Sequence, residues 1–132
     1  MYDQELALEI LRQIHLSVQT IQKRFQPIQS VEDFTNSEIG LEKLDAICMQ
    51  LIAIGESLKN LDKVTENALL LNYPEIEWKK VKGMRDTITH HYFDLNSEAI
   101  FLVCQQHIPE LEQTLLKMII DLDKKKLSES KL

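Results

Sequence analysis

Residues 6–25 read LALEILRQIHLSVQTIQKRF, and the spacing of their apolar side chains decides the fold class. Leu6, Ile10, Ile14, Val18, Ile21 and Phe25 recur at three- and four-residue steps, which puts them on one stripe of an α-helix. A half-buried strand would need alternation at every second residue, and no useful length of the chain shows it. Pro27 ends this first helix, because proline lacks the backbone donor and clashes with the preceding turn. Residues 26–36 form a connection from which Val31 and Phe34 can anchor onto the core.

The same period continues downstream. Asn36 or Ser37 can cap a second long helix, with a stripe of Ile39, Leu44, Ile47, Cys48, Leu51, Ile54, Leu58 and Leu61. Gly55 interrupts it at a cost of up to about 1 kcal/mol relative to alanine. Either another helix approaches closely there or the glycine is incidental. Thr65 is expected to cap a short third helix through about Leu71. Pro74 suits the first turn of a fourth, running to about Phe93, since its missing N–H would be unpaired there anyway. Ser97 then caps a long fifth helix carrying Ile100, Val103, Cys104, Ile108, Leu111, Leu115, Met118, Ile119 and Leu122 inward, with Pro109 kinking it. The expected fold is all-α, an antiparallel bundle of about four to five helices. Residues 1–123 read as a single domain. Residues 124–132 carry charge without an apolar period and are expected to form a flexible tail.

A chain of 132 residues fits one domain, and 44% hydrophobic content is ample for its core. Its apolar runs fall far short of the roughly 20 residues that cross a bilayer. The acidic start, Met1-Tyr2-Asp3-Gln4-Glu5, lacks a basic-then-apolar leader and argues against a secretory signal. A soluble, cytoplasmic protein without membrane association is expected. Cys48 and Cys104 lie far apart among apolar residues and read as buried free thiols. The net charge of −6 argues against nucleic-acid binding by the whole surface. A local basic site is still open: Lys79, Lys80, Lys82 and Arg85 precede Asp86 without an intervening acid, although such a cluster is usually a solvated helix face.

The densest polar constellation is Gly83-Met84-Arg85-Asp86-Thr87-Ile88-Thr89-His90-His91-Tyr92-Phe93. Arginine can clamp a phosphate bidentately, and histidine moves protons near neutral pH. Together they can cleave RNA without a metal: a 2′-OH attacks the adjacent phosphate, histidine transfers the proton, and arginine stabilises the developing charge. A straight helix places Arg85 and Tyr92 within about 20° of each other but His90 about 140° away. Either the helix is distorted near His90 or the site joins side chains from two chains, and the second is favoured because a two-fold dimer achieves it readily. From these residues alone, a paired arginine and a satisfied polar histidine remain the plainer reading. His15 and His107 lack the clustering a metal needs, and Trp78 and Tyr73 read as core or interface aromatics. No Gly-rich loop is present to hold ATP, and neither cofactor nor metal is expected.

Arg85, His90 and Tyr92 fit the Arg-x-x-x-x-His-x-Tyr motif, and the chain resembles the HepT-like HEPN family, the toxins of HepT–MntA toxin–antitoxin systems. Ile54-Gly55-Glu56 resembles that family's element on its second long helix. Val31-Glu32-Asp33-Phe34, Tyr73-Pro74-Glu75-Ile76, Trp78 and Ile108-Pro109 with Leu111 extend the resemblance over nearly the whole chain. It implies a homodimer whose motif helices meet across a shared cleft, acting as a metal-independent endoribonuclease toxin on RNA. It further implies a minimal nucleotidyltransferase partner (MntA-type) that silences the toxin by transferring AMP to Tyr92. Arg85 and His90 would then be catalytic, with His91, Asp86 and Glu56 as further catalytic or supporting residues and Lys79 and Lys82 on RNA phosphates. The motif spacing favours His90 over His91. Asp86 stands where many relatives carry asparagine, and its charge would tie up Arg85 or raise the proton affinity of a nearby histidine. The alternative is a weakly active or non-catalytic binding subunit of a nucleotidyltransferase complex.

Overall fold

Helix α1 (Gln4–Phe25) begins where the Asp3 carboxylate accepts a hydrogen bond from the Leu6 N–H, satisfying one of the donors a helix start leaves open. The computed structural model describes residues 2–130. After Pro27 the Asp33 carboxylate accepts from the backbone N–H of Gln29 and Ser30 and orders the connection. A single turn, α2 (Glu32–Thr35), follows and sends Phe34 fully into the core. There Phe34 meets Phe25 and Phe101 with ring centroids 6.1 and 6.4 Å away. Ser37, the second of the two expected caps, accepts from the Gly40 N–H and starts α3 (Glu38–Val64).

The remaining helices are α4 (Trp78–His90), α5 (Ser97–Leu102) and α6 (Ile108–Ser130). Helix α3 packs on α1 and α4, and α1 packs on α6. Ion pairs give the directions: Arg12 reaches Asp123 while His15 reaches Glu112, so α1 and α6 run antiparallel. Arg85 reaches Glu56 and Lys82 reaches Asp62, so α3 and α4 do too. The expected all-α bundle is present, and its core is the predicted set of stripes with additions and two removals. Ala7, Leu8 and Leu11 join it because α3 and α6 cover α1 from two sides. Leu6 is exposed, and Ile39 is 68% exposed. Gly40 faces the α2 backbone, and Ile39, about 100° further round, faces away. Cys48 and Cys104 are buried and free.

Several element boundaries differ from the sequence expectation. Thr65 caps no new helix; its hydroxyl donates back to the Leu61 carbonyl and closes α3. Glu66 and Asn67 then take left-handed backbone angles (φ 55° and 63°), and the Asn67 N–H bonds the Asp62 carbonyl. This is the reversal that ends helices, and only a 3-10 turn at Leu70–Asn72 follows it. Helix α4 starts at Trp78, not Pro74. The buried Trp78 indole donates to the Tyr73 carbonyl, and the Tyr73 hydroxyl donates to Asp121 on α6, so residues 73–77 are held as an anchored turn. Asn96, not Ser97, caps α5. The kink expected at Pro109 takes the form of a π-turn over Val103–His107. Four residues before the proline lies Gln105, whose carbonyl the ring would strike in a regular helix, and the wider turn relieves it. Helix α6 continues through residues 124–130; residues 131 and 132 of the expected tail lie outside the described residues. No helix among the described residues is long and apolar enough to cross a membrane.

Candidate active site

Helix α4 lies close against α3 at Gly55. A Cβ there would sit 3.0 Å from Arg85 Cβ and 3.2 Å from the Lys82 carbonyl oxygen. The glycine is therefore required by the close approach, which settles the alternatives the sequence leaves open. It also brings the neighbouring Glu56 to the arginine: Glu56 Oε1 and Arg85 Nε form an ion pair at 2.8 Å. Arg85 Nη1 donates to Asp86 Oδ1 at 2.9 Å, and Lys59 lies 3.7 Å from the other Asp86 oxygen. These four residues alternate in charge at the junction of the two helices. The hydrogen bond from Arg85, with Lys59 beside it, holds the Asp86 carboxyl below the usual range, and the same bond raises Arg85 further.

His90 is the last residue of α4 and is exposed. Its Nδ1 lies 3.0 Å from the Asp86 carbonyl oxygen. A carbonyl only accepts, so this hydrogen bond requires the proton on Nδ1 and leaves Nε2 of the neutral ring as a proton acceptor facing outward. Arg85 is turned onto α3, whereas His90 lies on the outer part of α4. No hydrogen bond joins the two side chains among the described residues; Asp86, which Arg85 holds, also lies near enough to His90 for their charges to interact.

The helix ends at His90, three residues earlier than the sequence suggests. His91 closes it through its backbone N–H to the Thr87 carbonyl, and Tyr92–Asp94 form a 3-10 turn. Tyr92 thus leaves the helical line that would have set it near Arg85. Its hydroxyl donates to Asp45 Oδ1 at 2.6 Å, and this bond, ahead of partial desolvation, raises the phenol's pKa. Asp45 is eleven residues before Glu56 on α3, about 16 Å along the helix axis. The ring of Phe93 lies edge-on to Tyr92 with centroids 5.8 Å apart and is 98% exposed.

The lysine cluster splits. Lys80 pairs with Glu77, and Lys82 pairs with the largely buried Asp62. Lys79 and Lys82 face an open cleft of about 1020 Å³ between α3 and α4, which Glu56, Lys59 and Lys63 also line. Sequence reading missed Asp45, Lys59 and Asp62. The detectable signal was their recurrence near three- and four-residue steps with Glu56 on α3, which becomes informative once α4 is laid antiparallel beside it. Among the described residues no group of three His, Cys, Asp or Glu side chains could hold a metal ion.

The family model described as Ribonuclease HepT-like matches residues 8–118. The chain is 32% identical to "Putative RNase TTE0752" of Caldanaerobacter subterraneus subsp. tengcongensis, over 68% of this chain and 74% of that one. It is 30% identical to "Putative RNase MJ0127" of Methanocaldococcus jannaschii, over 73% and 81% of the two chains. It is also 30% identical to "Probable ribonuclease HepT" of Thermococcus cleftensis, over 66% and 81%. No solved structure matches. With a family model covering most of the chain, and relatives matched over most of their own length, the chain belongs to the HepT-like ribonuclease family.

Proposed function

We propose that the protein is a metal-independent endoribonuclease toxin that works as a homodimer in the cytoplasm. The observation that carries this reading is the pairing of a fixed arginine with an outward-facing histidine nitrogen. Glu56 holds Arg85 against α3, and the Asp86 carbonyl holds the His90 ring with Nε2 free. In the proposed reaction His90 Nε2 takes the proton from a ribose 2′-OH, the oxygen attacks the adjacent phosphorus, and the 5′-oxygen leaves with a proton returned to it. The products are a 2′,3′-cyclic phosphate and a 5′-hydroxyl. Arg85 stabilises the charge on the phosphoryl oxygens. A homodimer is supported by the fully exposed Phe93 beside the site. A minimal nucleotidyltransferase partner would silence the enzyme by transferring AMP to Tyr92, which is half-exposed and whose hydroxyl is held by one carboxylate. His91 stands as the alternative base.

The test is RNA cleavage in EDTA by the purified protein, wild type against His90→Ala, with both checked for oligomeric state. Cleavage by the wild type alone is expected; loss of activity with chelator sinks the metal-free mechanism. One observation favours the second reading, a weakly active binding subunit of a nucleotidyltransferase complex. Arg85 is already engaged by two carboxylates, Glu56 and Asp86, which a phosphate would have to displace. Absence of cleavage at high protein concentration, with stable binding of the nucleotidyltransferase, is the outcome that reading requires.

A further inference from the structure

The three glycines of the chain all lie in helices, where glycine is the poorest residue after proline. Two of them have packing reasons. A Cβ at Gly40 would fall 1.9 Å from the Asp33 carbonyl oxygen, and one at Gly55 would crowd Arg85. Gly83 has no such reason: a Cβ there would meet nothing within 4 Å. It sits in the interior of α4 and lines the cleft between α3 and α4. Glycine in that position lets something outside the chain approach the helix backbone.

The walls of the cleft indicate what approaches. Lys59 and Lys63 come from α3, and Lys79 and Lys82 from α4. Among the described residues no carboxylate pairs with Lys63 or Lys79, and Lys59 shares Asp86 with Arg85. Acidic residues outnumber basic ones in this chain by 21 to 15, so facing lysines along one groove stand out against the surface. Four lysines from two helices lining one open cleft, beside the carboxylates of Glu56 and Asp62, suit a polyphosphate backbone.

We propose that the α3/α4 cleft is a track for the backbone of single-stranded RNA, with Lys63 and Lys79 on its phosphates and Gly83 the point of closest approach. It rests on the ribonuclease reading and extends it: the strand enters past Lys63 and Lys79 and reaches Arg85 at the Glu56 end. Lys82, held by Asp62, shapes the wall, and Lys59 carries charge between the track and Asp86.

The experiment measures binding of a 2′-O-methyl single-stranded oligonucleotide, which cannot be cleaved by 2′-OH attack, across a salt series. The proteins are wild type, Gly83→Ala and the double variant Lys63→Gln, Lys79→Gln. The double variant should bind roughly tenfold more weakly, and its salt slope should fall by about 0.7 per lysine. Gly83→Ala should melt about 3 °C higher, because alanine is the better helix former, yet bind more weakly with an unchanged salt slope. A merely structural glycine cannot give that opposition. Wild-type affinity and slope in the double variant, or wild-type affinity in Gly83→Ala, overturns the track. Cleavage of ordinary RNA by the same proteins separates the two readings. A wild type that cleaves while the variants bind normally sinks the track alone, and cleft-dependent binding without cleavage sinks the nuclease alone.

Discussion

The Tyr92 hydroxyl donates to the Asp45 carboxylate at 2.6 Å, tying the turn after α4 to α3 three helical turns away from the Glu56–Arg85 pair. Both ends of the motif segment are thereby fixed to the same helix, Arg85 through one carboxylate and Tyr92 through another. His90 lies between them, its ring bonded to the Asp86 carbonyl of its own helix. An adenylyl group on the Tyr92 oxygen would remove the donor and set a phosphate anion against Asp45, so modification would release the turn next to His90.

That tie is measurable through the phenol itself. The raised Tyr92 pKa comes first from the Asp45 hydrogen bond, which favours the neutral, donating form. Asp45→Ala should return the Tyr92 titration toward the ordinary tyrosine value, read by NMR of ring-labelled tyrosine. The sign follows from the raised folded value: the bond's contribution is complete below the ordinary pKa near 10 and is lost as pH climbs through the folded one. A Tyr92 titration that ignores Asp45→Ala contradicts the assignment.

Glu56 and Asp86 hold the same guanidinium and should act on cleavage in opposite directions. Glu56→Gln frees Arg85 from its anchor on α3 and should lower kcat roughly tenfold. Asp86→Asn removes the competitor for the phosphate and should raise kcat/KM several-fold. Both pairs are exposed, so melting temperatures should barely move. Equal losses in both variants would mean that Asp86 supports the site instead of competing for it.

Glycine replacements test the helix packing. At Gly55 the obstructing atoms are Arg85 Cβ and the Lys82 carbonyl, neither at the end of a flexible side chain. Gly55→Ala should therefore cost about 1 kcal/mol or more despite the gain in helix propensity, and should also depress cleavage by moving Arg85. Gly40→Ala, with its Cβ almost on the Asp33 carbonyl, should cost about 3 kcal/mol and leave much of the protein unfolded at 37 °C. Urea unfolding gives both values, and a Gly55→Ala protein more stable than wild type would refute the close approach.

Burial pushes the Cys48 thiol up to about 11, with Asp45 adding to it, and the Cys104 thiol up to about 12. Neither should react with a thiol reagent in the folded protein at neutral pH, and both should react in denaturant. Because both folded values lie above the ordinary one, their contribution to stability is intact below about pH 9 and declines as pH rises toward 11–12. Cys48→Ala should reduce that alkaline loss; rapid labelling of the native protein would show that the thiols are accessible.

Glu66 occupies the left-handed region that favours glycine where α3 reverses. Glu66→Gly should stabilise the fold by about 1 kcal/mol, read as a higher urea midpoint with unchanged slope. A lower midpoint would show that the glutamate side chain compensates the strain.

The helices themselves were legible because their determinants are local. Apolar spacing places Ile10 to Ile21 and Leu44 to Leu61 on core stripes whatever their neighbours, and Ser37 caps α3 within three residues of itself. Boundaries failed where a distant group decided them. Nothing near Pro74 announces that Tyr73 will be pinned to Asp121 on α6, which delays α4 to Trp78. Nothing near His90 announces that Asp45 will take the Tyr92 hydroxyl at the turn where the helix stops.

The motif's residue types were visible from order and spacing along the chain, and so were the candidates Arg85, His90 and Tyr92. Their relations were not. Glu56 meets Arg85, and Lys63 faces Lys79 across a cleft, only because α3 and α4 run antiparallel in one register, with Gly55 allowing the approach. A helix's period is set by hydrogen bonds four residues apart, so the sequence determined which residues share a face. Which faces meet is set by packing between segments far apart in the chain, and that the tertiary structure alone decided.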